Sequence, residues 1–340
     1  MTAEESKLRL WGLLILVQIS EVRMQRQLLR DPAQVLRVLS SWLLIALLNV
    51  FPAHAFDETG KTFETPKSTI YYEVTGSGAS NPLIVVNGGP GFDHTYLHLS
   101  KAWGMLTKSR SVVFYDQRGT GHSVGNYKGQ TFTLKDQIED LEALRAHLGY
   151  EHIDLLGHSW GGFLVMAYAA VHPDRVEHLA IVDSAAPKWK DTLFLFADVF
   201  PETTERQAAV AFADGMGDKA AKAANMREYL SMLCYSPENR DAFLVGMARS
   251  SFSEQVNQAV VQSIEGFDLN PEIHKFRFPV LVLTGRYDMN VAPLVAYKIH
   301  QAIPGSKFIV FERSGHLPFY EEAEAFVRVV ENFLSARTGG

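Results

Sequence analysis

The chain has one cysteine, Cys234, in 340 residues. A single thiol excludes an intramolecular disulfide and any metal site built from several cysteines. Set in the apolar run from Tyr229 to Tyr235, it reads as a small buried hydrophobe. Positive charge is also short: 32 Lys+Arg against 38 Asp+Glu give a formal net charge of −6. Without a basic stripe, no nucleic-acid partner is expected. The pattern G-x-G-x-x-G and the Walker lysine are both missing, which removes the usual phosphate-cradling loops, and no cofactor is expected. No apolar run reaches the roughly 20 residues that a membrane-spanning helix needs.

What is present is a globular composition, 47% hydrophobic and 21% charged. Residues 1–55 differ from the rest. Arg26, Arg30 and Arg37 precede the apolar stretch Trp42–Val50, and Ala53-His54-Ala55 gives a small-x-small ending. A positive region, a short apolar core and such an ending predict a secretory signal peptide cleaved after Ala55, hence a secreted or periplasmic protein. A second apolar run, Leu8–Ile19, lies too far upstream for that signal, so Met24 reads as the more natural start; the alternative is an N-terminal membrane anchor. Once the signal is removed, no lasting membrane association is expected.

From residue 65 onward, short apolar runs alternate with longer amphipathic ones, the rhythm of a mostly parallel sheet flanked by helices. Strands are predicted at Ser68–Val74 (an edge strand), Pro82–Asn87, Ser111–Tyr115, His152–Leu156, His178–Val182, Pro279–Thr284 and Lys307–Phe311. Helices are predicted at Thr133–Leu148, Trp160–Val171, Leu294–Ala302 and Tyr320–Leu334. Thr133 with Asp136 three residues on makes a capping signal, and Gly149 a stop. Residues 188–275 show helical patterns but no buried strand. The expected organisation is therefore an α/β core over 56–187 and 276–340, interrupted by a helical cap over 188–275.

The chemistry centres on Gly157-His158-Ser159-Trp160-Gly161-Gly162. A G-x-S-x-G match alone is a frequent coincidence. Here it follows a predicted strand and opens a predicted helix, the setting of a nucleophile elbow in the α/β-hydrolase fold. A serine hydroxyl needs a base and an orienting acid, and in that fold they follow in the order Ser, Asp or Glu, His. Asp288 ends the loop after Pro279–Thr284, and His316 ends the loop after Lys307–Phe311. Both fall at the carboxyl edge of a sheet, where such sites gather. Asn87-Gly88-Gly89-Pro90-Gly91 follows an earlier strand, and the N–H groups of Gly89 and Trp160 are the candidate oxyanion donors. Among other histidines, His158 is expected to point away from the nucleophile and His122 to brace a loop. His94 and His98, four apart, have metal-ligand spacing, but no third ligand is apparent, so surface or packing roles are expected.

Together with Asp116-Gln-Arg-Gly-Thr-Gly-His-Ser123, Gly285-Arg-Tyr-Asp288 and Ser314-Gly-His316, these motifs resemble the proline iminopeptidase family of serine peptidases over residues 65–335. The resemblance implies a cap over the active site and release of an N-terminal residue, often proline, from a peptide or amide. It also implies that Asp116 and Arg118 brace the oxyanion loop. The family commonly has His at the first glycine-loop position, where this chain has Asn87. In one branch a Glu directly follows the catalytic Asp and holds the substrate's α-ammonium; here Met289 stands there. A cap glutamate would have to replace it, with Glu202, Glu205, Glu228, Glu254 and Glu265 as candidates. The expected partner is a small peptide, amide or ester. An esterase, lactonase or amidase that needs no free amine is the alternative reading. Epoxide hydrolases and dehalogenases are disfavoured, since they carry Asp at the elbow.

Overall fold

A computed structural model describes residues 60–78, 80–125, 129–215 and 219–336. The signal peptide, the start at Met24 and the upstream apolar run lie outside these residues. Among the described residues, no helix is long and apolar enough to cross a membrane.

Eight strands form one sheet: β1 (Lys61–Glu64), β2 (Thr69–Thr75), β3 (Leu83–Val86), β4 (Val112–Tyr115), β5 (Ile153–His158), β6 (Val176–Val182), β7 (Val280–Gly285) and β8 (Lys307–Phe311). Their order is β1-β2-β4-β3-β5-β6-β7-β8. β1, β2 and β4 pair antiparallel, and every later pairing is parallel. The central strands Leu-Ile-Val-Val of β3 and Val-Val-Phe-Tyr of β4 are buried throughout. Uninterrupted apolar runs suit a strand covered on both faces.

Successive residues feed opposite faces. Leu83 and Val85 join one core with Trp103, Leu106, Phe326 and Val330, while Ile84 and Val86 join the other with Leu141, Phe163, Val165 and Ile299. The flanking helices are α1 (Ala102–Leu106), α2 (Leu134–His147) and α3 (Trp160–Val171). α2 starts on the capping box that Thr133 and Asp136 predict. α3 is buried continuously from Trp160 to Ala169, as expected of a helix apolar on all sides.

Among the described residues between β6 and β7 come six α-helices: α4 (Phe196–Val199), α5 (Pro201–Gly215), α6 (Lys219–Ser231), α7 (Pro237–Gly246), α8 (Glu254–Ile264) and α9 (Asn270–Ile273). The chain then returns to the sheet with α10 (Pro293–Ala302), α11 (Pro318–Glu321) and α12 (Ala323–Leu334).

Two expectations need correction. The strand predicted at Ser68–Val74 is not the edge, because β1 pairs outside it. β1 is Lys-Thr-Phe-Glu and mostly exposed, so no apolar run announces it. The helix predicted at Tyr320–Leu334 is split, with Glu322 at φ −123°, ψ 47° between α11 and α12. Its carboxylate accepts hydrogen bonds from Arg313 N–H at 2.8 Å and Ser314 Oγ at 2.7 Å. Those bonds hold it to the loop after β8, against the helical path.

Candidate active site

Ser159 stands between β5 and α3 with φ 58° and ψ −121°, a left-handed conformation rare outside glycine. The turn is tight enough to need glycine beside it: a Cβ on Gly161 would lie 2.2 Å from the Val86 carbonyl oxygen. Ser159 N–H is fixed by Val182 O at 2.9 Å. Trp160 is the first residue of α3, so its N–H has no acceptor within the helix. The predicted oxyanion loop lies against the serine, for a Cβ on Gly88 would sit 2.9 Å from Ser159 Cβ. Gly88 N–H is taken by Tyr96 Oη at 2.6 Å, and Gly89 follows with φ 135°, open to glycine alone.

Asp288 and His316 are brought together as the sequence predicts. His316 Nδ1 lies 2.7 Å from Asp288 Oδ2, both residues being buried. The other carboxylate oxygen accepts the N–H groups of Asn290 and Val291, each at 2.9 Å. With Nδ1 donating to Asp288, His316 Nε2 is the bare nitrogen, and Asn290 Nδ2 donates to it at 3.0 Å. Tyr229 Oη reaches Asn290 Oδ1 at 3.3 Å. Ser159 and His316 line one cavity of ≈ 30 Å³ with Gly88, Gly89 and His158. Its remaining walls are apolar or aromatic, with Leu230, Leu233, Phe243 and Met247 supplied by the segment between β6 and β7.

His158 does not point away from the site as expected. Its Nε2 holds the His316 carbonyl at 2.8 Å and its Nδ1 lies 2.7 Å from Tyr96 Oη. Burial, with His316 beside it, lowers its proton affinity well below that of a free imidazole, so it stays neutral. His122 donates its N–H to Asp116 Oδ2 at 2.7 Å, the loop-bracing role foreseen.

Asp116 braces the oxyanion segment through His94, whose N–H and Nδ1 lie 3.1 and 2.6 Å from Oδ1. Arg118 does not. It turns to α2, forking onto Asp140 with two bonds of 2.6 Å and lying 3.1 Å from Asp136. The residue between them takes the role: Gln117 Nε2 donates to Asn87 O at 3.0 Å and Oδ1 at 3.1 Å, while Trp160 Nε1 donates to Gln117 Oε1 at 2.8 Å. Asn87 in turn donates to Phe92 O at 2.8 Å. Asparagine at this position therefore ties the loop to itself and to α3.

A second cavity of ≈ 260 Å³ shares Gly89, Phe92 and Tyr229 with the first and is lined also by Lys222, Asn225 and Glu254. Of the five candidate glutamates, Glu254 lines this cavity. Glu202, Glu205 and Glu265 are exposed on helix surfaces, and Glu228 faces Arg206 at 3.7 Å. Met289 follows Asp288 with its carbonyl bonded to Leu195 N–H at 2.8 Å, tying the acid loop to the segment before α4.

Residues 81–323 match the family model described as the alpha/beta hydrolase fold. The chain belongs to the α/β-hydrolase family. Within it this hydrolase is proline iminopeptidase-like. It is 30% identical over 287 residues to a proline iminopeptidase of Clostridioides difficile (strain 630), covering 78% of this chain and 94% of that one. A proline iminopeptidase of Saccharolobus solfataricus is 29% identical over 278 residues, covering 78% and 88%. Among solved structures, an alpha/beta fold family hydrolase from Bacillus anthracis superposes with a TM-score of 0.67 at 21% identity, over 81% of this chain and 99% of that one. A thermophilic esterase from Thermogutta terrifontis does so with 0.61 at 25% identity, over 80% and 96%.

The residues that sequence reasoning missed, Gln117, Asn290, Tyr229 and Tyr96, are polar or aromatic side chains of unremarkable local sequence. Only Gln117 carried a signal, from its place inside the Asp116–Ser123 motif.

Proposed function

We propose that this α/β hydrolase works through an acyl-enzyme, with Ser159 as nucleophile, His316 as general base and acid, and Asp288 as its orienting partner. The observation that carries this is one cavity shared by Ser159, on its strained turn, and a His316 bound to Asp288. Ser159 Oγ bonds to the substrate carbonyl carbon while Nε2 takes the hydroxyl proton. That proton passes to the leaving nitrogen or oxygen as its bond to carbon breaks, and water then repeats the sequence on the ester. Gly89 and Trp160 N–H groups receive the oxyanion. Asn290 holds the resting imidazole in the tautomer that leaves Nε2 free of hydrogen, and yields when the serine proton arrives.

The acyl group favoured is an N-terminal proline or small apolar residue. The tight, apolar surroundings of Ser159 and the similarity to proline iminopeptidases support it. Glu254 is the candidate anchor for the substrate ammonium. It already holds an ammonium, Lys222 Nζ, at 2.9 Å in the cavity that Gly89 shares. A second reading, an esterase, lactonase or amidase, is favoured by one observation: no carboxylate lines the cavity at Ser159 itself. In either reading we propose an exported enzyme, its N-terminal segment cleaved after Ala55 as a signal peptide, with anchoring to a membrane through that segment as the alternative.

Ser159→Ala should lower kcat by about 10⁴-fold or more with an unchanged circular dichroism spectrum; normal turnover in that variant would sink the assignment. Proline anilide and its N-acylated form then separate the substrates. An aminopeptidase cleaves only the free amine, and Glu254→Gln should raise its KM with little change in kcat. Equal cleavage of both anilides supports the esterase-type reading.

A further inference from the structure

His94 and His98 gain from the fold the third ligand that the sequence did not offer. β2 carries Glu73 to them, and one oxygen of Glu73 with the Nε2 atoms of both histidines fall within 4.8 Å of one another. Glu73 and His94 are buried, and His98 keeps 19% of its side chain exposed. Neither Glu73 Oε2 nor His94 Nε2 completes a hydrogen bond, although both atoms are cut off from solvent. Buried polar atoms that meet one another only at 3.2–3.3 Å call for an explanation, and an ion bridging them is one of the few available.

We propose that Glu73, His94 and His98 form a site for a divalent metal ion of the zinc class, separate from the hydrolytic centre. Two imidazoles and one carboxylate are a recurrent zinc donor set. With metal–ligand bonds of 2.0–2.2 Å, a tetrahedron has edges of about 3.3 Å. Glu73 Oε2 lies 3.3 Å from His98 Nε2, and His94 Nε2 lies 3.2 Å from Glu73 Oε1.

The surrounding bonds fit the same chemistry. Asp116 Oδ1 stands 2.6 Å from His94 Nδ1, so the ring donates on that side and turns Nε2 to Glu73 on the other; against burial, the two carboxylates raise its proton affinity to about 9, and an ion at Nε2 would take the place of that proton. This is the carboxylate–histidine pairing that orients metal-bound imidazoles. Tyr71 Oη donates to Glu73 Oε1 at 2.8 Å, which steadies the carboxylate between the two histidines. Glu73 and Asp116 also bring two negative charges against His94 in one buried region, and a dication taking the place of the His94 proton would balance them. The exposed side of His98 gives a path of entry, and the fourth position would be open to water.

The ion would clamp β2 to the 3₁₀ turn His94–Leu99, which follows directly on the oxyanion loop. Its expected role is thus structural, holding the segment that Asp116 anchors.

The test uses tag-free full-length protein, stripped with a chelator and titrated with zinc by isothermal calorimetry and by thermal unfolding. One zinc per chain and a rise in Tm on saturation are expected. His98→Ala should weaken zinc binding by about 100-fold or more, and Tyr71→Phe by about tenfold. Glu73→Gln gives a second ligand variant should His98→Ala not fold. Ser159→Ala and His316→Asn should bind zinc as the parent does, which separates this site from the nearby Asp183, Asp288 and His316 cluster. No saturable binding in the parent, or equal binding in folded His98→Ala and Glu73→Gln, would overturn the proposal. Failure of Ser159→Ala to lose turnover would touch only the hydrolase reading.

Discussion

Two carboxylates, Asp183 and Asp288, lie side by side past the ends of β6 and β7, with one imidazole, His316, between them to share. Asp288 has three donors, whereas Asp183 accepts the Gly285 N–H at 2.9 Å on Oδ1 and meets the Asp288 carboxylate with its side chain. Burial and the Asp288 charge push the Asp183 carboxyl well above the usual carboxylate range, so it holds a proton at neutral pH. An acid raised in the folded state keeps a proton that the unfolded chain releases above about pH 3.9. Stability therefore falls as pH rises past that value until the folded group itself ionises. Asn has the shape of the protonated acid, donates as it does, and tolerates the positive φ of 45° found here. Asp183→Asn is accordingly expected to raise Tm at pH 7 by about 3 °C, to flatten the loss of stability between pH 4 and 7, and to retain turnover. Calorimetry across that range checks it; a lower Tm at pH 7 would mean that Asp183 is ionised and needed as an anion.

The join between α2 and the sheet depends on Arg118 in the same way that the triad depends on Asp288. Its guanidinium spans Asp140 and Asp136, and Ser68 Oγ adds a bond of 2.9 Å to Asp140. Burial raises the Asp140 proton affinity, and Arg118 opposes that shift. Arg118→Met leaves Asp140 buried beside no cation, at a cost of about 3–5 kcal/mol. The double variant Arg118→Met, Asp140→Leu should regain much of that loss, since both charges are then gone. Urea midpoints at pH 7 measure both; additive losses would mean that the pair is not coupled. The sequence signals the reverse of this arrangement, with Arg118 on the oxyanion loop, because a motif gives neighbours in the chain and not the direction of a long side chain. The same limit explains Asn290, which reaches His316, and Tyr229, which reaches Asn290 from a separate segment. By contrast β3, β4, β5 and β7 announce themselves as apolar runs, and Ser159, Asp288 and His316 by following such runs. β1 has one partly buried side chain, Phe63, and nothing local to mark it as a strand.

Across the whole molecule, the sheet supplies the chemistry and the chain between β6 and β7 supplies the walls around it. Ser159, Asp288 and His316 follow β5, β7 and β8, whereas Leu230, Leu233, Phe243 and Met247 close the cavity from α6, the turn after it, α7 and the turn after that. The two parts are tied by His316 N–H to Leu233 O at 2.7 Å, and by Glu321, which accepts N–H groups of Tyr235 and Ser236 at 2.9 and 3.0 Å. A cavity of ≈ 30 Å³ leaves little room for an acyl chain, so acyl preference should be set by the wall and not by the reacting groups. Met247 is buried, unbranched and far in sequence from the triad, which makes it the wall position whose truncation disturbs least. Met247→Ala opens space for about two to three further carbon atoms. One methylene in an apolar pocket changes kcat/KM by about 10-fold or more. Over a series of free-amine anilides of straight-chain amino acids from alanine to norleucine, the parent should favour the shortest side chains and Met247→Ala should move the optimum toward 2-aminobutyrate or norvaline. The ratio of the variant's kcat/KM for the two ends of the series should rise by about 10–100-fold over the parent's. An unchanged profile in a folded Met247→Ala would place the acyl group elsewhere, in the larger cavity beside Glu254, and would reverse the assignment of the two cavities.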